Sequence, residues 1–470
     1  MVHVVENALK AKKTPRKSAI LSSIDTPCDR NGRKQADYIY NMTEKILARR
    51  SFLCKCGRTY ESKTADIVVK SGALLDLPQL ALQTVAAGHL GLVFTADVEA
   101  FALRAQSLLL HAGFRVTKYC FAADTAVSAE AVREITAAPS EIRLFIGVGA
   151  DNVADILKAA CFERACNFFA VLTAPCTDTV LLEDAGVLQC AVRTKLRGIA
   201  PQAVIADLDI LSAAPKNLIA AGYGTLFSKY AALFDVKFWS LVSGGNSCAH
   251  FAAEVKQLLD NFFNGGGAGG NAAGAAVQDG GVTGLTETLL AVGLLQQMSG
   301  IVLHGAEHIF AGVLKEWTNH RLTDGENKFI ASFTMLNFYA KLISFSGTDL
   351  CFPPCKAKDI QALNAAVNAP VASTFTSIGS GNLPSFWRAD FMLNEYREDL
   401  AASLFEITQK LPQAARTFRR IYDDAGYFLK DFLPSCEIMR VMSLSAVMRD
   451  KYCYLNYLKD GGLLELPANY

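Results

Sequence analysis

The sequence predicts an α/β protein, with an N-terminal parallel-sheet domain followed by an all-helical C-terminal domain. Three observations predict it. Between residues 66 and 207, short β-branched runs alternate with helix-length Ala/Leu-rich segments, the pattern of a parallel sheet covered on both faces. After about Pro215 the strand signals fade, and apolar residues recur at spacings of three and four, which is helical periodicity. Glycines stand where an apolar strand gives way to a helix, as in Leu144-Phe-Ile-Gly-Val-Gly-Ala-Asp-Asn152, and only such turns reverse the chain tightly.

In chain order, residues 1–50 read as a polar extension with a helix over 35–49. Residues 51–215 form the α/β domain. Its strand-like runs are 66–70, 91–95, 115–120, 143–147, 167–172 and 203–207, with helices such as 98–111 and 152–161 between them. Residues 216–470 form the helical domain. Its helices are expected over 218–238, 252–263, 286–303, 309–317 and 327–345, with more from 388 to 458. A Gly-rich insertion spans 264–282. Glycine at that density holds no single backbone conformation cheaply, which predicts a flexible surface segment. A phosphate loop is the rival reading, but no strand precedes it and no Lys or Ser/Thr follows in the required place.

Composition excludes several classes. The chain has 470 residues, 51% of them hydrophobic and 19% charged, too apolar for a disordered chain. Its 46 Lys+Arg against 45 Asp+Glu give a charge of +1, so there is no electrostatic footprint of a nucleic-acid binder. The most apolar run, 288–303, is interrupted by Gln296 and Gln297, short of the roughly 18 to 20 apolar residues of a membrane span. Thirteen cysteines are sparse and odd in number, which favours a reducing compartment over a disulfide scaffold. A cytoplasmic location is expected. The basic N-terminus (Lys10, Lys12, Lys13, Arg16, Lys17) lacks an apolar core and leaves organellar import open.

Four motifs carry chemistry. The turn around Gly147 and Gly149 lets backbone N–H groups approach a diphosphate at a helix N-terminus; the bland alternative is a ligand-free turn. The loop Thr173-Ala-Pro-Cys-Thr-Asp178 follows the next strand, where ligand-facing loops of open α/β sheets lie; an ordinary capped turn reads equally well. His304 and His308 are four apart, so on one helix they would share a face and could hold a metal, with Asp324 as a carboxylate ligand. Packing or capping is the alternative. Cys54-Lys-Cys56-Gly57 is too closely spaced for an ordinary zinc knuckle and reads as structural.

Together these segments resemble the sn-glycerol-1-phosphate dehydrogenase family, in the superfamily of iron-type alcohol dehydrogenases, glycerol dehydrogenases and dehydroquinate synthases. The likeness runs from about Leu53 to Leu464. It rests on Cys54-x-Cys56-Gly57-Arg58-x-Tyr60, on Ala203-Val-Ile-Ala-Asp-Leu-Asp-Ile-Leu-Ser-Ala-Ala-Pro215, on Leu218-Ile-Ala-Ala-Gly-Tyr-Gly-x-x-x-Ser-Lys-Tyr230, and on Met448-Arg-Asp-Lys-Tyr with Gly462-Leu-Leu-Glu. The resemblance implies a nucleotide-binding α/β domain, a helical domain, and a cleft between them where NADH or NADPH reduces dihydroxyacetone phosphate. A zinc-type divalent ion would polarise the carbonyl there. It implies a homodimer and a small phosphate substrate. Catalytic positions fall on Asp178 and Lys229. Cofactor positions fall on Gly147, Gly149, Asp151, Asp155, Thr173 and Thr177. Metal positions fall on His308 and Asp324, with His304 beside them and Thr225 where the family has an aspartate.

The departures matter as much. Thr225 offers a neutral hydroxyl, a poor ligand for such a cation. Asp324 replaces a histidine, His304 replaces a serine, and Asp151 brings a carboxylate to the cofactor turn. Two readings follow: a dehydrogenase with an altered site, or a paralogue that kept the fold and became a structural or interaction protein.

Overall fold

Every expected strand joins one sheet. The computed structural model describes residues 42–123, 125, 127–189, 192–243, 248–264, 281–318, 321–343, 386–422, 441–442, 445 and 453–460. The Gly-rich stretch from 265 to 280 and residues 1–41 lie outside these. Of the helix expected over 35–49, residues 42–49 are described; 42–47 are helical and the helix has ended by 48.

The sheet contains β3 (Asp66–Lys70), β4 (His89–Thr95), β5 (Arg115–Phe121), β6 (Leu144–Gly149), β7 (Asn167–Leu172) and β10 (Ala203–Asp207). Their order is β3-β10-β7-β6-β4-β5, all parallel. β6 and β10 are buried at every position, which is why they read as unbroken apolar runs rather than alternating ones. β4 pairs with β5 on one side and β6 on the other. The direction of winding reverses there, and ligand crevices of open α/β sheets form beyond the strand ends at such a point. Two antiparallel hairpins lie outside the sheet: β1 (Ser51–Leu53) with β2 (Thr59–Glu61), and β8 (Ala185–Gln189) with β9 (Val192–Leu196). Strands of three to five residues with mixed polarity leave little periodic signal, and the sequence reading does not contain them.

Helices α1 (Leu77–Thr84), α2 (Glu99–His111), α3 (Ala129–Thr136) and α4 (Asp151–Arg164) accompany the sheet. After β10, every described element is helical: α5 (Leu208–Ser212), α6 (Lys216–Ser243), α7 (Ala249–Asn264), α8 (Gly281–Ser299), α9 (Ala306–Trp317), α10 (Asp324–Leu342), α11 (Phe386–Thr408), α12 (Leu411–Tyr422) and α13 (Tyr454–Asp460). α6 and α8 are buried on almost all sides, as core helices are. One apolar cluster runs through both halves, from Leu157, Leu172 and Val204 to Leu226, Leu289 and Leu336.

Glycines let backbone meet backbone around α6. A Cβ on Gly222 would overlap the carbonyl oxygen of Pro175, and one on Gly325 would overlap that of Ala221. Backbone cannot retreat as the tip of a side chain can. Gly222→Ala is therefore expected to lower the melting temperature steeply or abolish soluble protein. Gly284→Ala, where an added Cβ meets nothing within 4 Å, should stabilise by about 0.5–1 kcal/mol. Thermal melts of the two variants check this, and equal effects would refute the packing argument.

Candidate functional site

The chain leaves β7 at Leu172 and turns through the Thr173–Asp178 loop into the interior. Asp178 is fully buried. Its Oδ2 meets Lys229 Nζ of α6 at 2.8 Å and accepts from Gln296 Nε2 of α8 at 2.5 Å. Lys229 Nζ also donates to the carbonyl of Leu303 at 3.2 Å, and the Leu303 N–H donates to Gln296 Oε1 at 2.7 Å. The four groups close a ring. Burial pushes the Asp178 carboxyl up, but the Lys229 ammonium, with Lys328 beyond it, more than offsets this and holds it below the usual range. Asp178 and Lys229, both expected at the site, are therefore brought together.

The β6–α4 turn lies beside this loop, and the Thr173 N–H donates to the Gly149 carbonyl at 3.2 Å. Asp151 opens α4, where a carboxylate complements the positive end of the helix. Its Oδ1 accepts from the Thr179 hydroxyl at 3.1 Å. The Thr177 hydroxyl lies 3.0 Å from that of Thr179 and accepts the Thr179 N–H at 2.9 Å. Burial, then the neighbouring Asp155 carboxylate, raise the Asp151 pKa. Gly147 and Gly149 are spaced for packing: a Cβ on either would press on Val153, at 3.1 and 2.8 Å. Asp155 accepts from Lys158 Nζ at 2.8 Å and from the Gly186 N–H at 3.1 Å. Lys158, wholly buried, also donates to the Thr179 carbonyl at 2.8 Å. That pair ties α4 to the β8–β9 hairpin.

Of the expected metal positions, His304 and His308 come together, whereas Asp324 and Thr225 bond to other groups. α9 begins at Ala306, so His304 precedes the helix that carries His308. Their rings stack with centroids 4.0 Å apart and planes 5° apart. Parallel rings aim their in-plane lone pairs along parallel lines, which do not meet at one tetrahedral ion. Asp324 Oδ1 takes Lys315 Nζ at 2.7 Å. The Thr225 hydroxyl donates to the Cys176 carbonyl at 3.2 Å. Among the described residues, three or more ligand atoms gather within 4.8 Å only at Cys54, Cys56 and Cys248.

A buried acid pair lies nearby. Asp235 Oδ2 accepts from the Ala306 N–H at 2.8 Å and Oδ1 from the Tyr454 N–H at 3.3 Å. Both oxygens of Glu307 accept the Gly305 N–H, at 3.1 and 2.9 Å. Only glycine fits between them, because a Cβ on Gly305 would lie 2.6 Å from an oxygen of each acid. Burial, then the Glu307 charge, push Asp235 up to about 7, and burial pushes Glu307 up to about 7. Sequence reasoning missed Asp235, though an acid inside an otherwise apolar helix was a signal. It also missed Gln296, whose polarity within the most apolar run was the visible trace.

With this geometry in view, the comparisons take their meaning. Residues 68–215 match the family model described as iron-containing alcohol dehydrogenase. Glycerol-1-phosphate dehydrogenase (NAD(P)+) of Geobacillus thermodenitrificans is 38% identical over 100 residues, 21% of this chain and 25% of that one. The Sulfurisphaera tokodaii protein of the same name is 28% identical over 212 residues, 43% and 56% of the two chains. This chain thus spans between a quarter and just over half of those relatives' length. Among solved structures, maleylacetate reductase from Rhizobium sp. shares the fold at TM-score 0.54 and 13% identity, covering 86% of this chain and 96% of its own. Iron-containing alcohol dehydrogenase from Corynebacterium glutamicum does so at 0.54 and 13%, covering 87% and 97%. The chain has the fold of these iron-containing alcohol dehydrogenases and is similar over part of its length to glycerol-1-phosphate dehydrogenases.

That kinship sets the groups to be tested for fit. A diphosphate at the head of α4 would lie against the Asp151 carboxylate, which is turned onto Thr179 rather than away. Two like charges about 4 Å apart cost roughly 4 kcal/mol at an interfacial dielectric. Asp151 as placed opposes a diphosphate at the head of α4. Of the residues expected beside an ion at His308, His304 lies against it, while Asp324 and Thr225 bond to Lys315 and to the Cys176 carbonyl.

Two outcomes follow from the buried charges. Lys229→Met should cost about 3–5 kcal/mol in chemical denaturation, because it strands the Asp178 carboxylate in the interior. A loss under about 1 kcal/mol, the range of an exposed pair, would show that solvent reaches it. For Asp235 and Glu307 the folded pKa lies above the unfolded one, so the folded state binds more protons between about pH 4 and 7. Their stabilising contribution is full below about 4 and is lost as pH rises through about 7. Glu307→Gln should therefore flatten the fall in melting temperature between about pH 5 and 8; parallel curves for variant and wild type would refute the assignment.

Proposed function

We propose that this chain keeps the glycerol-1-phosphate dehydrogenase fold without its hydride-transfer chemistry and works as a binding or scaffolding protein. The observation that carries this reading is the Asp151–Thr179 hydrogen bond of 3.1 Å at the head of α4. It sets an internal anion, already complemented by the helix, where a cofactor diphosphate would need the same N–H groups. The direction of Thr225 toward the Cys176 carbonyl supports the same conclusion. A cytoplasmic homodimer belongs to the proposal. No helix among the described residues is long and apolar enough to cross a membrane.

A second reading, NAD(P)-dependent reduction of dihydroxyacetone phosphate or a similar small phosphate ester, draws on Lys328. This half-buried cation of α10 lies close enough to act to lower the pKa of Asp151, Asp178 and Glu307 alike, so the site keeps a positive charge that a phosphate would use. Fluorescence titration with NADH and NADPH separates the two readings. Wild type should bind with a dissociation constant above about 1 mM, and Asp151→Gly/Thr179→Gly should gain at least about tenfold, or 1.4 kcal/mol. Micromolar binding by wild type together with oxidation of NADPH by dihydroxyacetone phosphate would establish the dehydrogenase instead.

A further inference from the structure

Three cysteines distant in sequence meet where the N-terminal hairpin touches the helical half. Cys54 and Cys56 sit in the turn between β1 and β2, and Cys248 immediately precedes α7. The Sγ atoms of Cys54 and Cys248 are 3.4 Å apart, and those of Cys56 and Cys248 are 3.7 Å apart. Two thiolates on one tetrahedral zinc, with bonds of about 2.3 Å, lie roughly 3.8 Å from each other. The spacing of the three sulfurs is thus close to that of a ligand set.

The turn is built to direct those sulfurs. Gly57 adopts a left-handed backbone, φ 83°, which a side chain disfavours. Its N–H donates to the Cys54 carbonyl at 2.9 Å, and the Cys54 N–H donates to the Arg58 carbonyl at 2.8 Å. This leaves the Cys56 N–H to donate to the Cys54 sulfur and the Arg58 N–H to the Cys56 sulfur. Amide donors two residues beyond each sulfur stabilise the thiolate, the form that ligates. At Cys56 the Tyr60 hydroxyl and the Arg58 N–H bring the pKa down to about 6, while at Cys54 the backbone donor is outweighed by burial and the neighbouring thiols, which push it up to about 11. The Tyr60 hydroxyl, 3.5 Å from Cys56 Sγ, adds a third donor. The docking partners are held independently of any ion. Arg49 grips Glu254 of α7 through two bonds of 3.0 Å, and its guanidinium lies 4.5 Å over the Phe52 ring.

We propose that Cys54, Cys56 and Cys248 form a thiolate site for a zinc-type divalent ion, which staples the β1–β2 hairpin to the start of α7. Soft sulfur ligands select zinc over magnesium or calcium. Cys54 and Cys248 are buried while Cys56 is exposed, so the fourth position opens to water on the side of Cys56. The role is structural: the ion crosslinks segments about 190 residues apart, as the 194-residue separation of Cys54 and Cys248 shows, and its binding free energy adds to that of folding. None of the cleft residues takes part.

The test uses the full chain, reduced and stripped of metal under anaerobic conditions, and titrated with Co2+. A thiolate-to-cobalt charge-transfer absorption should grow to saturation at about one ion per chain and vanish when zinc is added. Cys248→Ser should remove it, and His308→Ala should leave it intact. Zinc should also protect Cys54, Cys56 and Cys248 together from maleimide labelling, mapped by mass spectrometry. Absence of the band in wild type would overturn the proposal, as would its persistence in Cys248→Ser or unchanged labelling of the three cysteines. A Cys54–Cys248 disulfide in protein isolated under reducing conditions would overturn it as well. If Cys248→Ser fails to fold, the wild-type titration and labelling decide the matter alone.

Discussion

An ammonium and a carboxylate, Lys229 and Asp178, meet 2.8 Å apart with both side chains almost wholly withdrawn from solvent. Removing two such ions from water costs several kcal/mol each, and their attraction offsets that only when further polar partners complete the geometry. Gln296 and the Leu303 backbone supply those partners, and each also bonds the other. The ring fixes four segments at once: the loop after β7, α6, α8, and the link from α8 to α9. Because Leu303 is held at both its N–H and its carbonyl, the backbone of His304 starts from a fixed point, and the stacked His304–His308 arrangement follows. Because Lys229 fixes the rotation of α6, Thr225, four residues earlier, faces the Cys176 carbonyl. Gly293 lets α8 approach so closely that a Cβ there would overlap the Asp178 carbonyl.

Four other side chains expected at the site also bond within the protein. Asp151 takes the Thr179 hydroxyl, Asp155 takes Lys158, Asp324 takes Lys315, and Thr225 takes Cys176. Here they knit loop to helix, and the glycine contacts of α6 with Pro175 and Gly325 draw the same elements together. Shared fold does not by itself carry shared chemistry, and the proposed non-enzymatic reading rests on these internal contacts.

How legible this was depended on how local the signal is. The four inner strands could be read because a strand buried on both faces is a continuous apolar run, the two edge strands because of their β-branched residues, and the long helices because their periodicity extends over several turns. Asp178 and Lys229 came from motif resemblance, since nothing in their local spacing pairs them. Asp235 left a trace as an acid inside a largely apolar helix, but its pairing with Glu307 did not, because the two lie on different helices and meet only in the folded chain. The His304/His308 spacing misled in a specific way: four residues apart means one face only within one helix, and α9 begins between them. Cys54-x-Cys56 looked incomplete because its third member stands nearly two hundred residues away.

The inward satisfaction of the cleft also bears on how the fold persists. A ligand at a hundred times its dissociation constant contributes about 2.7 kcal/mol to stability, a sizeable share of the roughly 5–15 kcal/mol that separates folded from unfolded protein. A chain that no longer draws on a bound cofactor must replace that contribution with contacts of its own. Hydrogen bonds such as Asp151–Thr179 and Thr225–Cys176 contribute about 0.5–1.5 kcal/mol each, and more where one partner is charged. Two or three of them match the lost ligand in size. On the proposed reading, side chains that stand where a diphosphate or a metal would bind also stabilise the chain without those ligands. Asp151 and Thr225 have this in common: each stands where the resemblance implies a ligand contact, and each hydrogen-bonds within the protein.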